Sequence, residues 1–343
     1  MPTTSARPAR PRPSSTAPGH RALADAAPAD AAPADTAPAD TAPAPEVTPR
    51  SVTPTLRDAI LDWYTAEGRE LAFRGTKDPY AILVSEAMAQ QTQAARAAEY
   101  WTRFLIEFPT VEALADATPA DVLRAWRGLG YNRRAIALRQ AAIAIVRDHG
   151  GQVPYDIDAL ERLPGVGPYT ARAVAALAFG RPVGAVDVNV RRVLNRALGG
   201  SLDAFSPAEL QAAADASVPS AAPGLWTHAL MDIGATFCKP QVPRCESCPA
   251  QVACRYATAL DRPELAVHGT REKPAAFSTT SRWLRGRILD LLRDAHDDSW
   301  AQIPGSIGTH DHAAVVRAID ALARDALLER DPTDPNRARL PID

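Results

Sequence analysis

A glycine-rich turn between two apolar segments constrains the fold of this chain more than any other feature. The turn LPGVG ends at Gly167 and follows a segment in which Ile157, Leu160 and Leu163 have helical spacing. The segment after it, YTARAVAALAFG, is small and apolar and stops at Gly180. Glycine lets a backbone reach positive φ and lets its N–H groups approach a phosphate closely. The pattern predicts a helix, a tight hairpin and a second helix.

The first 52 of the 343 residues differ sharply from the rest, with the near-repeat ADAAPADAAPADTAPADTAPAP. Such a segment cannot bury apolar surface, and we predict a disordered tail over 1–52. The chain shows neither the apolar core of a signal peptide nor the ~20 apolar residues of a membrane span, so we expect a cytoplasmic bacterial protein. The net charge of −2 excludes a global basic surface for nucleic acid. Local candidates are Arg133-Arg134 and Arg191-Arg192.

Beyond the tail the sequence is almost wholly helical, with short amphipathic segments separated by Gly and Pro. Asp78-Pro79 is a typical helix start, with Asp as the cap and Pro in the first turn. Many short helices of this kind predict an all-α fold. The last segments, SRWLRGRILDLLRDA, HDHAAVVRAIDALARDALLE and DPTDPNRARLP, indicate two helices and a hairpin, which resembles a small winged-helix domain.

All four cysteines lie in one short segment with the pattern C-x6-C-x2-C-x5-C. Nothing indicates secretion, so disulfides are not favoured. Four thiolates this close can ligate one metal centre, and both zinc and a [4Fe–4S] cluster are chemically feasible from the spacing alone. The candidate ligands are Cys238, Cys245, Cys248 and Cys254.

Several of these motifs resemble those of one enzyme superfamily. The string from LPGVG to VDVNVRRVL resembles the helix-hairpin-helix and Gly/Pro-rich loop with aspartate of the base-excision DNA glycosylases. The cysteine spacing resembles the iron–sulfur loop of the endonuclease III and adenine glycosylase superfamily, which favours the [4Fe–4S] cluster. The segments VSEAMAQQTQ and GLGYNRRAIAL resemble the adenine-specific, MutY-type branch. The resemblance covers about 56–256.

The resemblance implies two helical lobes and a monofunctional enzyme that flips and hydrolyses adenine mispaired with 8-oxoguanine or guanine in double-stranded DNA. Glu86 matches the family's acid, which protonates adenine at N7. Asp187 matches the carboxylate that stabilises the oxocarbenium-like sugar. Burial of Glu86 in an apolar helix would raise its pKa and keep a proton available. Taken alone, Asp187 could equally be an ordinary helix N-cap.

Further positions carry over from the same motifs. Lyase members of the superfamily place Lys where this chain has Tyr169, which implies that no Schiff base forms there. The remaining matches are Asn189 and Arg74 near the flipped adenine and its sugar, Gln91 and Tyr131 as wedge residues, and Gly165 and Gly167 as a phosphate-binding hairpin, often with a monovalent cation.

The chain also departs from the family pattern. Ala89 replaces a bulky apolar residue and Phe73 replaces a Trp. The C-terminal region does not resemble the strand-rich Nudix-like domain that reads 8-oxoguanine in many members. We predict a glycosylase domain over 53–260, a linker over 261–280 and a winged-helix-like domain over 281–343. Within the first, one lobe spans 79–180 and the other combines 55–78 with 181–256.

Three alternatives stay open at this level. The chain could be a related thymine, uracil or oxidised-pyrimidine glycosylase, or an endonuclease III-like lyase. It could also be a non-catalytic DNA-binding module that kept the hairpin and the cysteines. The presence of both Glu86 and Asp187 counts against a pure binder. We expect a monomer.

Overall fold

A computed structural model describes residues 50–259, 276–295 and 299–343. The helices are α1 Pro54–Glu67, α2 Pro79–Ala89, α3 Ala94–Glu107, α4 Val111–Asp116, α5 Pro119–Ala125, α6 Arg133–His149, α7 Ile157–Glu161, α8 Pro168–Phe179, α9 Val188–Leu194, α10 Pro207–Ser217, α11 Pro223–Thr236, α12 Arg255–Thr258, α13 Ser281–Arg293 and α14 His312–Arg324. Short strands are β1 Ala301–Gln302, β2 Glu329–Arg330 and β3 Arg337–Arg339.

The helix ends follow from local chemistry. Asp78 accepts a hydrogen bond from the backbone of Tyr80 at the start of α2, with Pro79 in the first turn. Ser206 and Glu209 form a capping box at the start of α10. Gly180 ends α8 in the left-handed conformation, as its position after the apolar segment predicted.

Two hydrophobic cores define two lobes. The larger core is built from α2 to α8 and contains the buried rings of Phe104 and Trp126. The second core joins α1 to α9, α10 and α11 around buried Trp226. The N-terminal helix therefore packs with segments that follow it by more than 100 residues, and the chain crosses between the lobes twice.

The C-terminal segment forms a winged helix. Strand β3 is central and pairs antiparallel with β1 and β2, with Ala338 opposite Ala301 on one side and Arg330 on the other. Helices α13 and α14 cover this sheet, and their buried side chains join the larger core. The predicted all-α fold with two lobes and a winged-helix-like domain is confirmed.

The exact domain boundaries stay predictions. Val52, which the predicted tail contained, is 2% exposed, and its N–H donates to Ser217 Oγ at 3.0 Å. The rest of that tail up to residue 49, and most of the predicted linker, lie outside the described residues. Within the described part of the chain no helix is long and apolar enough to cross a membrane. The monomeric state and cellular location likewise stay predictions.

Candidate active site

Glu86 lies in the last turn of α2, a helix that is buried along most of its length. The side chain is 8% exposed, and its Oε2 accepts a hydrogen bond of 2.8 Å from the Tyr169 hydroxyl of α8. Burial raises the pKa of Glu86 to about 7, the hydrogen bond from Tyr169 opposes that rise, and the nearby charge of Asp187 adds to it. The predicted rise in the pKa of Glu86 is confirmed, and this carboxyl can hold a proton near neutral pH.

Asp187 is the N-cap of α9, at the junction between the lobes. Its Oδ1 accepts from the backbone N–H groups of Asn189 at 2.9 Å and Val190 at 2.7 Å. Its Oδ2 accepts from Asn189 Nδ2 at 2.8 Å. The side chain is half-buried, and its charge acts on Glu86. Asp187 is therefore a helix cap whose orientation is fixed by three hydrogen bonds and whose charge still acts on Glu86.

A close helix contact sets the position of α9. A Cβ on Gly234 of α11 would lie 2.5 Å from Asn189 Cβ, so only glycine permits this approach. Arg192 donates to the carbonyl of Gly234 at 2.8 Å and to Asn189 Oδ1 at 2.9 Å. Arg192, a sequence-based candidate for DNA contact, is thus used to hold the helix that carries Asp187.

The structure places Arg74 in a buried ion pair that the sequence did not predict. Both of its terminal nitrogens donate to Asp232, at 2.6 and 2.7 Å, and Arg69 donates to the same carboxylate. Asp232 is fully buried, and these donors hold its pKa below the usual range despite burial. The charge of Arg74 also reaches Glu86, whose pKa it lowers slightly. The sequence feature that could have indicated this ion pair is Asp232, a charged residue within the mostly apolar segment WTHALMDIGA.

Two aromatic neighbours complete this cluster. The guanidinium of Arg74 lies 5.5 Å from the ring centroid of Tyr64. Burial lowers the pKa of His228 to about 3, and the charge of Arg74 lowers it further, so this imidazole is neutral. The cluster therefore carries the positive charge of two arginines against one carboxylate.

Gln91 and Tyr131 occupy two loops and share an unusual backbone conformation. Their φ angles are +54° and +47°, in a region that non-glycine residues rarely adopt. Such strained residues concentrate at functional sites. The guanidinium of Arg134 joins the two loops, and burial lowers its pKa to about 10, which leaves it charged. Its acceptors are the carbonyl oxygens of Ala87, Met88, Gln90, Leu129 and Gly130 and the hydroxyl of Thr92.

The glycine hairpin forms between α7 and α8 as predicted. Gly165 has φ +76°, and a Cβ there would lie 2.8 Å from Ala137 Cβ of α6. Gly167 is the N-cap of α8, and a Cβ there would meet no atom within 4 Å. Gly165 is required by packing, whereas Gly167 leaves the N-terminus of α8 open to a ligand.

All four cysteines line one cavity beside α9 and its continuation, and none is in a disulfide. Burial raises the pKa of Cys248 to about 12, and the neighbouring thiols raise it further. The buried guanidinium of Arg196 lies 3.4 Å from Cys238 Sγ and 4.9 Å from the ring centroid of Tyr256. Four half-buried thiols around one cavity fit a site in which a bound positively charged centre would offset the burial and mutual repulsion that disfavour their thiolate forms.

The fold and this pair of carboxylates define a base-excision DNA repair protein of the helix-hairpin-helix class. Residues 84–218 match the HhH-GPD superfamily of base excision DNA repair proteins. The chain is 42% identical over 295 residues to an adenine DNA glycosylase of Mycobacterium tuberculosis, covering 82% of this chain and 92% of that protein. An adenine DNA glycosylase of Mycolicibacterium smegmatis is 38% identical over 273 residues, with 79% and 92% coverage.

Among solved structures, a thermostable thymine-DNA glycosylase aligns with a TM-score of 0.56 and 32% identity, over 59% of this chain and 94% of that one. The chain belongs to the MutY-type adenine DNA glycosylase family of the HhH-GPD superfamily.

Proposed function

We propose that this protein removes adenine mispaired with 8-oxoguanine or guanine from double-stranded DNA by hydrolysis of its N-glycosidic bond. The observation that carries the proposal is the buried carboxyl of Glu86, which holds a proton near pH 7 while a second carboxylate, Asp187, lies close enough to raise its pKa. Two carboxyl groups in different environments can act as acid and as charge stabiliser.

In the proposed mechanism Glu86 donates its proton to N7 of the extruded adenine. The bond between sugar C1′ and adenine N9 then breaks, and its electron pair leaves with the base. Asp187 stabilises the positive charge that develops on the sugar, and Asn189 holds Oδ2 of that carboxylate. The ionised Glu86 then accepts a proton from the water that adds to C1′. Proton transfer of this kind contributes about 10²–10⁴-fold to a rate.

The protein is proposed to be monofunctional. A lyase needs an amine nucleophile at the exit of the hairpin, and this chain places Tyr169 there. The Tyr169 hydroxyl is already engaged with Glu86 at 2.8 Å, which gives it a positioning role. Base release should therefore leave an intact strand with an abasic site.

Extrusion of the adenine is assigned to the two strained loops. Gln91 and Tyr131 would fill the space that the base vacates, at an unstacking cost of a few kcal/mol. Backbone N–H groups of the hairpin at Gly165 and Gly167 would bind a phosphate of the same DNA, and a monovalent cation held there would supply further positive charge for it.

The cysteine loop is proposed to hold a [4Fe–4S] cluster through Cys238, Cys245, Cys248 and Cys254. The spacing of these cysteines, which resembles the iron–sulfur loop of this superfamily, favours a cluster over one tetrahedral zinc. Four thiols around a cavity suit a cluster, in which each iron takes one thiolate. When bound, the cluster would hold the cysteine loop in a fixed conformation. Arg192 and Arg196 link that loop to α9 through the carbonyl of Cys238 and its sulfur.

The proposal is tested by base release from four labelled duplexes that contain A:8-oxoG, A:G, A:C and T:G pairs, with and without hot alkali. We expect adenine release from A:8-oxoG and A:G, and strand breaks only after alkali. Release of thymine from T:G in preference to adenine would favour the thymine glycosylases, one of which is a structural neighbour. Breaks without alkali would indicate a lyase, and binding without release would indicate a non-catalytic module.

A further inference from the structure

A cleft of about 930 Å³ separates the two strained loops from the winged helix. Gln91 and Tyr131 line one side, and Arg282, Arg285 and Arg287 of α13 line the other. The volume lies in the range of ligand-binding clefts, and the arginines outnumber the lining carboxylates of Asp290 and Asp325, so this wall carries a net positive charge. A cleft of this composition suits a nucleotide better than an apolar ligand.

The winged helix is fixed against the loop that carries Tyr131. Arg293 of α13 is 8% exposed and donates to the carbonyl of Leu123 at 2.8 Å and to Asn132 Oδ1 at 2.7 Å. Asn132 directly follows Tyr131 in the chain. Arg127 and Asp294 add an ion pair of 2.5 Å between the same two parts. Helix α13 and the loop that carries Tyr131 are therefore joined by direct side-chain contacts.

The arginines of this wall differ in their partners. Arg285 pairs with Asp325, and Arg287 pairs with Asp290 at 3.3 Å. Arg282 is exposed, and its guanidinium lies 4.8 Å from the ring centroid of Tyr131. Among the described residues no carboxylate forms an ion pair with Arg282. The charge of Arg282 is thus available to a ligand that binds beside Tyr131.

We propose that Arg282, stacked on Tyr131, contacts the purine that loses its partner when adenine is extruded. This inference rests on the proposed function, because only extrusion leaves that purine unpaired. Guanidinium groups donate to the carbonyl edge of guanine, and O6 is common to guanine and 8-oxoguanine. Arginine and aromatic side chains also stack on bases that have lost their neighbours. The winged helix thereby supplies a specificity-determining residue for the opposite base.

The test compares single-turnover adenine release at subsaturating enzyme from three duplexes, in which A lies opposite 8-oxoguanine, guanine or an abasic analogue. Arg282→Ala should slow release by about tenfold opposite either purine and leave release opposite the abasic analogue at its wild-type rate. Arg282→Lys should restore the rate only in part, because lysine can donate to O6 but lacks the planar guanidinium that stacks on Tyr131. Arg317→Ala, an exposed position on α14, is the matched control and should match wild type on all three.

Equal slowing on all three duplexes, or wild-type rates for Arg282→Ala, would each overturn the inference. Thermal unfolding of Arg282→Ala should match that of Arg317→Ala, because both side chains are exposed. A wild-type protein that releases no adenine from any duplex would instead contradict the proposed function. The two failures are therefore distinguishable.

Discussion

The Tyr169 hydroxyl donates to Glu86 Oε2 at 2.8 Å, and this contact joins the helix after the hairpin to the helix that carries the proposed acid. A donor to a carboxylate favours its ionised form, whereas burial favours the protonated form. Burial is the larger effect, and the pKa of Glu86 lies at about 7. The working pH range of the site is set by the balance of these two effects.

The first prediction concerns wild-type pH dependence. In the proposed mechanism protonated Glu86 is the reactive form, so single-turnover adenine release should decline as pH rises through about 7. The folded protein keeps this proton above the ordinary pKa of 4.5, so the contribution of Glu86 to the free energy of unfolding decreases between pH 4.5 and about 7. Glu86→Gln should remove this component of the pH dependence in denaturant titrations. A release rate that rises through pH 7 would contradict the assignment of the acid.

Tyr169→Phe should shift the decline of adenine release at alkaline pH to a higher pH. The substitution removes a donor that lowers the pKa of Glu86, so the pKa should rise by about one unit, the scale of a hydrogen bond to a charged group. Release at low pH should persist, although slower, because the proton is still present. A decline at the same pH as in the wild-type protein would show that the Tyr169 contact does not influence the pKa of Glu86.

Asp187→Asn separates charge from capping. Asparagine caps helices as well as aspartate does, so the free energy of unfolding should change by less than about 0.5 kcal/mol. Adenine release should fall by at least ~10²-fold, because the developing sugar cation loses its anion. Asp187→Ala serves as the comparison and should lose both activity and about 1 kcal/mol of stability. Near-normal adenine release by Asp187→Asn would show that Asp187 acts only as a helix cap.

Sequence reasoning found residues that belong to local motifs and missed those defined by distant contacts. Glu86 and Asp187 each lie in a short recognisable string, and the structure brings them together through the lobes. Asp232 was missed because its partner Arg74 is 158 residues away. The Asn132 contact with Arg293 spans 161 residues and leaves no periodic signal. Strand β1 was also missed, since two residues are too few to show alternation.

Arg134→Met tests the link between the two strained loops. Six acceptors would lose their donor, so the free energy of unfolding should fall by about 3 kcal/mol. Opening of the duplex, followed with a fluorescent adenine analogue, should be impaired even at temperatures where the variant is fully folded. Arg147→Met is the matched control, because the Arg147 side chain lies on the same helix and is 70% exposed. Normal duplex opening by Arg134→Met would show that the loops act independently.

Cys245→Ser tests the metal assignment. Loss of one thiolate should abolish the visible absorption and the iron and sulfide content that the purified wild-type protein is expected to show. A zinc centre would give no visible absorption, because Zn²⁺ has a filled d shell. Zinc in the wild-type protein, with iron absent, would overturn the cluster proposal.

The most direct test of the central claim is single-turnover adenine release by Glu86→Gln from an A:8-oxoG duplex, measured beside its affinity for the same duplex. Glutamine preserves the shape of the side chain but lacks the acidic proton of the carboxyl group. Release should fall by at least ~10²-fold, while the Kd for the duplex stays at its wild-type value. Release at the wild-type rate would show that Glu86 is not the acid and would contradict the account.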